Sequence, residues 1–372
     1  MAVYYFTICI LTGLGFFLTE KQKHAKTTVL YLSVVFVLLT FLASFRYAIG
    51  FDYFAYRNIF EMTSNLSFSD ILYYYGYEPL FFVLCALFHL CGLSFQSLIT
   101  SVSIFVILVA MWFIFRYSKL PWMSVYLYIT LQFFAYDMNL MRQAIGVSFF
   151  LLAYPYLEHQ KPLPYTILLF VGGLFHNSLW FMFPLYFLLP KKFSCKSAAC
   201  LALITGCGYL FFDPLFLLIK PFLPEKYAVY QDSYFWNSNS WEYLVLPALY
   251  CLLIFLFRKR IKNLRRRTIY LNSAIFYFLI HIFITKHFIL ERFAIYPFVF
   301  SLTAIPEIVA SYRSSGQSSA KHPRMLQKYD CMILLFLAFG GAFFLFAAQK
   351  GFHHVYPYVS LLDQSRSVPV GN

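Results

Sequence analysis

The sequence predicts an all-α fold, a polytopic bundle of transmembrane helices with roughly 11–12 membrane segments. Three observations carry that reading. Of 372 residues, 61% are hydrophobic and only 12% charged, whereas soluble domains carry about 25% charged residues. The apolar residues come in runs close to the roughly 20 that a spanning helix needs. The basic residues sit mostly in the short polar stretches between those runs, which is how cytoplasmic loops are marked. A β-barrel would instead show weaker alternating runs of about 10 residues.

The elements follow in chain order. Ala2–Thr19 is apolar, has no positive charge before it, and is followed by Lys21, Lys23 and Lys26. It reads as a first span with its N-terminus outside, and not as a cleaved signal. Further candidate spans lie at 27–46, 79–92, 96–115, 119–137, 141–157, 163–189, 197–219, 242–257, 268–287, 291–311 and 329–349. Ser311–Ala320 is a polar loop. No inserted soluble domain and no internal repeat is visible, so 1–372 reads as a single integral membrane domain.

Orientation follows from the basic loops. Arg258–Arg267 holds seven basic residues in ten and is the strongest inside anchor. Lys21–Lys26, Arg116–Lys119, Lys161, Lys191–Lys196 and Arg313–Lys328 also read as inside. The outside then receives an extracytoplasmic loop at 47–77, Asp137–Leu140, Lys220–Trp241, Lys286–Glu291 and a C-terminal tail at 350–372. Crossing parity holds only if 79–92 is shallow or re-entrant and 163–189 breaks near Gly172-Gly173 or His176. Broken helices at membrane depth are tolerated where protein surrounds them.

The net charge of +14 does not mark a nucleic-acid binder, because the basic residues lie in loops that hold membrane topology. The eight cysteines lie in or beside apolar runs and form no pair or cluster with zinc spacing, so they read as small packing residues. No octahedral carboxylate cluster and no GxxxxGK[ST] loop is present. The sequence therefore implies no metal, cofactor or nucleotide.

Five polar groups interrupt the apolar pattern. Arg142-Gln143, preceded by Asn139, opens a run through Leu157 that otherwise carries no charge; a charge at that depth costs roughly 2.5–3.5 kcal/mol. Its planar fork suits phosphate, and the alternative is a buried pair with a carboxylate such as Asp137. Arg46 and Asp52 flank Gly50 where the second span leaves the membrane, with an interfacial aromatic belt as the alternative. Glu78-Pro79 opens an apolar run, where both residues also suit a plain helix start. His176, Asn177 and Ser178 interrupt 163–189, either as functional groups or as a cap at a helix break. Glu291, Arg292 and Tyr296 open a span from the outside, with a local Glu–Arg pair or snorkelling as the alternative. The charge-derived topology puts Arg46, Asp52, Arg142, Arg292 and His176 toward the outer side. A basic pocket there suits a lipid-linked pyrophosphate.

At these residues the chain resembles the EpsG family, one of the Wzy-type bacterial exopolysaccharide and O-antigen polymerases. The matching pieces are R-x-x-x-G-x-D-Y-x-x-Y at Arg46, Gly50, Asp52, Tyr53 and Tyr56; Glu78; Arg142-Gln143; F-H-x-S at His176 and Ser178; E-R-x-x-x-Y at Glu291, Arg292 and Tyr296; and Tyr356-Pro357-Tyr358. They cover nearly the whole chain in order. Asn177 stands where a basic or small polar residue is more usual, which leaves its role open. The resemblance implies a multi-pass, metal-independent glycosyltransferase in the cytoplasmic membrane of a bacterium. Its substrate would be an undecaprenyl-pyrophosphate-linked oligosaccharide, its solvent the lipid bilayer, and a chain-length regulator a candidate partner. On that reading His176, Asp52 and Arg142 are catalytic. Arg46, Glu78, Gln143, Ser178, Arg292 and Tyr296 bind substrate. Arginines would stabilise the leaving pyrophosphate, and His176 or Asp52 would take the acceptor proton. A flippase for the same lipid-linked glycan, an O-antigen ligase-like transferase and a membrane acyltransferase are the competing readings. Against the first stands the lack of a repeat, and against the second the lack of an outer loop longer than roughly 35 residues.

Overall fold

The structure is a computed structural model. It describes residues 1–21, 24–64, 66–75, 78–222, 236, 240–313 and 328–366. Most of the outer loop expected at 220–241, most of the polar loop at 311–320 and the end of the tail lie outside the described residues. The described residues are helical, without strands. Among the described residues six helices are long and apolar enough to cross a membrane, or up to eight if each of two bent helix pairs is one span. The chain is therefore a multi-pass membrane protein. It divides into two compact units, Met1–Trp180 with Leu302–Asn372, and Phe181–Ser301.

In the first unit, α1 (Ala2–Gly15) continues into a π-helical turn at Phe16–Lys21, and α2 (Ala25–Ser44) follows. Two short helices, α3 (Tyr53–Thr63) and α4 (Phe68–Tyr75), precede α5 (Pro79–Leu90) and the long α6 (Phe95–Tyr117). Ser94 starts α6 by accepting the Ser97 N–H at 3.3 Å, a side-chain cap for an otherwise orphan donor. Next come α7 (Pro121–Thr130), α8 (Phe133–Asn139), α9 (Met141–Glu158) and α10 (Pro162–Gly173). Proline stands in the first turn of α5, α7 and α10, where its missing N–H has no helical partner to lose.

Among the described residues several of the 11–12 apolar segments are broken or short and do not form one full-length span each. Gln132, at φ +71, divides the run at 119–137 into α7 and α8. The run at 197–219 bends by 68° between Cys195–Leu210 and Phe212–Ile219. Both segments singled out by charge parity fall short of one straight, full-length span. With 12 residues, α5 is about 18 Å long, too short for a core about 30 Å thick. The run at 163–189 breaks after Gly173 and resumes as a tight helical turn at Asn177–Met182. Gly172 permits that fold-back: a Cβ there would lie 2.5 Å from both Leu179 Cδ2 and Phe149 Cβ.

Packing in this unit follows α2 on α6, α6 on α9 and α9 on α10, with α1 on α7. Lipid gives no hydrophobic drive between helices, so close packing and interhelical hydrogen bonds hold them. Around the short helices one buried cluster joins Tyr53, Tyr56 and Phe60 of α3, Phe81 and Cys85 of α5, Leu98 and Val102 of α6, and Met141 and Ala144 of α9. The polar ties sort to two ends. At one end the buried Glu20 carboxylate pairs with Arg313 at 2.7 Å and accepts from Tyr329 at 2.8 Å. At the other, Gln96 donates to the Ser44 carbonyl and Asp52 N–H to Asn139 Oδ1 at 3.1 Å.

The second unit holds the bent pair just described, the helical stretch Trp241–Arg260, Leu264–Ile284 and Glu291–Phe298. Asn272 Nδ2 donates to the carbonyls of Leu188, Leu189 and Lys191 at 2.7–3.1 Å. Asp213 pairs with Lys286 and lies 2.9 Å from His287 Nε2.

Candidate functional site

Three segments far apart in sequence meet at Glu78. It precedes the proline that opens α5. Arg142 lies in the first turn of α9, and His176 lies in the break after α10. Arg142 donates through one terminal nitrogen to Glu78 Oε2 at 2.6 Å, and His176 Nδ1 lies 3.0 Å from Glu78 Oε1. The Asn177 backbone N–H donates to Glu78 Oε1 at 3.1 Å. The main chain ties the same segments, since Leu80 N–H donates to the Leu174 carbonyl at 3.2 Å. The carboxylate is sealed in, with 5% of its side chain exposed, and His176 is nearly so at 10%. Arg142 keeps 23% of its side chain exposed. A buried charge is tolerated only when paired and hydrogen-bonded, and here the carboxylate meets both conditions while the arginine still reaches the surface.

Aromatic rings fix the guanidinium sideways. It lies 5.6 Å from the Tyr56 ring centre and 5.9 Å from that of Phe81, within cation–π range. The Tyr56 hydroxyl accepts the Arg142 backbone N–H at 3.5 Å. Tyr56 belongs to the pattern begun at Arg46, so that pattern reaches the site through α3. Neither Tyr56 nor Phe81 is singled out as a site residue by the sequence.

The carboxylate that neutralises Arg142 is Glu78, not Asp137. Asp137 instead accepts the Tyr128 hydroxyl at 2.5 Å. Asp52 lies at the N-terminus of α3, one turn from Tyr56, whose N–H donates to the Asp52 carbonyl at 2.9 Å. Gln143 is buried and accepts the Tyr136 hydroxyl at 3.3 Å. Ser178 is buried in the turn after His176. Arg46 is 1% exposed, and one terminal nitrogen donates to the Ala43 carbonyl at the end of α2 and to Ser103 Oγ at 3.5 Å. That is the geometry of an arginine satisfying the last carbonyls of a helix. Arg292 and Tyr296 lie on Glu291–Phe298 in the second unit, Tyr296 fully buried.

Among the described residues no group of three or more His, Cys, Asp or Glu side chains is placed to hold a metal ion. What the site offers is a partly exposed cation, a buried carboxylate and an imidazole in register. A carboxylate at one imidazole nitrogen orients the ring and stabilises its protonated form, and a guanidinium at the rim receives an anion.

No curated protein and no solved structure matches the chain. The sequence model of the EpsG family matches residues 29–360, a stretch that contains Arg46, Asp52, Glu78, Arg142, His176 and Arg292. The chain belongs to the EpsG family, which implies a polysaccharide polymerase-like function.

Proposed function

We propose that this protein is a glycosyltransferase that lengthens a lipid-linked glycan at the outer face of a bacterial cytoplasmic membrane. The donor is a glycan chain on undecaprenyl pyrophosphate, and the acceptor is a hydroxyl of a second lipid-linked repeat unit. The bond from the anomeric carbon to the phosphate oxygen breaks, a new glycosidic C–O bond forms, and the lipid pyrophosphate leaves. The acceptor proton passes to His176 Nε2. Glu78, at the opposite ring nitrogen, stabilises the imidazolium that results. Arg142 meets the negative charge that gathers on the departing diphosphate. Asp52 is the second candidate base.

One observation carries this reading: Glu78 joins Arg142 at 2.6 Å and His176 at 3.0 Å while Arg142 stays partly exposed. On this reading Glu78 orients its partners rather than contacting substrate, and the buried Arg46 holds the end of α2. Gln143 and Ser178 support the first turns on either side of the site. Arg292 and Tyr296 remain substrate-binding proposals, to be tested by their own variants. A chain-length regulator remains a candidate partner.

The test is the glycan ladder in cells that depend on this protein. Arg142→Ala is expected to insert at wild-type level and to abolish long chains, since removing one transition-state charge partner costs roughly 10²–10³ in turnover. A normal ladder from that variant refutes the assignment of Arg142. Export of the lipid-linked unit without lengthening, by wild-type protein in vesicles, would favour a flippase instead.

A further inference from the structure

After its last helix, Lys328–Gln349, the chain turns at Gly351 and lies back across the end of the first unit that carries Asp52 and the start of α9. Backbone bonds hold it there: Gly50 N–H to the His354 carbonyl at 3.0 Å, Tyr47 N–H to Val359 at 3.0 Å and Leu361 N–H to Phe45 at 2.9 Å. Hydroxyls add to them, Tyr4 donating to the Val355 carbonyl at 2.9 Å and Tyr356 to Gln132 Oε1 at 2.7 Å. These contacts anchor the segment. One further contact reaches toward the site.

Asn139 Oδ1 accepts the Asp52 N–H at 3.1 Å, and Asn139 Nδ2 lies 2.8 Å from His353 Nδ1. With the amide oxygen occupied by a donor, the amide nitrogen must be the group that faces His353. His353 Nδ1 is then the acceptor, and the ring proton sits on Nε2. Burial pushes His353 down to about 3, which keeps the ring neutral and its acceptor available. Gly50 backs the same amide at φ +96: a Cβ there would lie 2.9 Å from Asn139 Oδ1. The Asp52 turn, the Asn139 amide and the C-terminal segment thus share one interlock. It leads directly into α3, which carries Tyr56 against Arg142.

We propose that His353 and Asn139 are positioning residues for the reaction: the C-terminal segment fixes the Asn139 amide through His353 Nδ1, and Asn139 fixes the turn that presents Asp52 and begins α3. This rests on the reading given under Proposed function. The competing possibility is a plain staple, in which the His353 ring matters only as packing, its centre 4.8 Å from that of Tyr136.

Three substitutions in the full-length protein separate them. His353→Asn keeps an acceptor oxygen near the Nδ1 position and tolerates the residue's φ of +56. His353→Gly tolerates that φ but has no acceptor, and His353→Phe keeps a ring but has no acceptor. Turnover of a lipid-linked oligosaccharide and affinity for undecaprenyl pyrophosphate are measured on the purified protein in nanodiscs. Phe and Gly are expected to lower turnover by roughly 10²-fold, as a small misplacement can, with affinity for the diphosphate unchanged. Asn should stay within a few-fold of wild type. Wild-type turnover in the Phe or Gly variant, Asn as impaired as Gly, or affinity falling in step with turnover overturns the proposal.

A double-mutant cycle covers the case in which these variants fold poorly. The thermal midpoint of Asn139→Ala should fall no further when His353→Phe is added, because the two residues share one contact. Additive losses overturn the proposal. Failure of the polymerase reading would appear separately, as normal lengthening by Arg142→Ala with this coupling intact.

Discussion

Glu78 serves three partners with two oxygens: the Arg142 guanidinium, the His176 ring and the Asn177 amide. Removing one partner of a buried pair costs roughly 3–5 kcal/mol, less here because Arg142 is partly exposed. Glu78→Gln keeps the shape but not the charge. Arg142 would lose its ion pair, and His176 the charge that stabilises its protonated form. The expected outcome is a fall in polymer turnover of roughly 10²-fold or more, with membrane insertion retained, measured as chain lengthening per unit of inserted protein. Wild-type turnover would show that the carboxylate only closes a helix end. The sequence exposes Arg142, Glu78 and His176 individually, because each is a polar group where apolar residues surround it. It does not reveal the pairing. Asp137 stands five positions from Arg142 and Glu78 sixty-four, yet tertiary folding selects the distant one. Tyr56 enters the sequence reading only as part of the pattern at Arg46, and Phe81 not at all, since 47 phenylalanines and 31 tyrosines give no aromatic ring a distinctive setting.

Among the elements, the break after α10 brings His176 to Glu78. It was legible, because charge parity required a break and Gly172-Gly173 with His176 marked the place. The split of 119–137 was not. Leu131 and Gln132 carry no charge, and one uncharged amide in an apolar run does not announce the left-handed turn found at Gln132. The α10 break depends on Gly172 having no side chain. Gly172→Ala would drive a methyl group to 2.5 Å from Leu179 and Phe149, an overpacking expected to cost about 1–3 kcal/mol. The thermal midpoint of the purified protein should drop measurably. Gly13→Ala, which would meet nothing within 4 Å, should leave it unchanged or slightly raised. Equal midpoints for the two variants would mean that the fold-back does not rely on this close approach.

For the whole molecule, composition made the membrane class plain, and basic loops gave an orientation. In the first unit the polar ties gather in two groups, Glu20, Arg313 and Tyr329 in one and Arg46, Asp52, Asn139 and the C-terminal segment in the other. Six to eight helices among the described residues are long enough to span, fewer than the 11–12 apolar segments, because an apolar run records burial and does not say whether one helix or two short ones fills it. The account turns on Arg142 gripping a diphosphate while Glu78 holds it in place. The most direct measurement is the affinity of undecaprenyl pyrophosphate for the nanodisc-embedded protein, wild type against Arg142→Ala. At least a tenfold loss is expected in the variant, equivalent to about 1.4 kcal/mol, with an unchanged thermal midpoint confirming that the fold persists. Equal affinity in the two proteins would contradict the account.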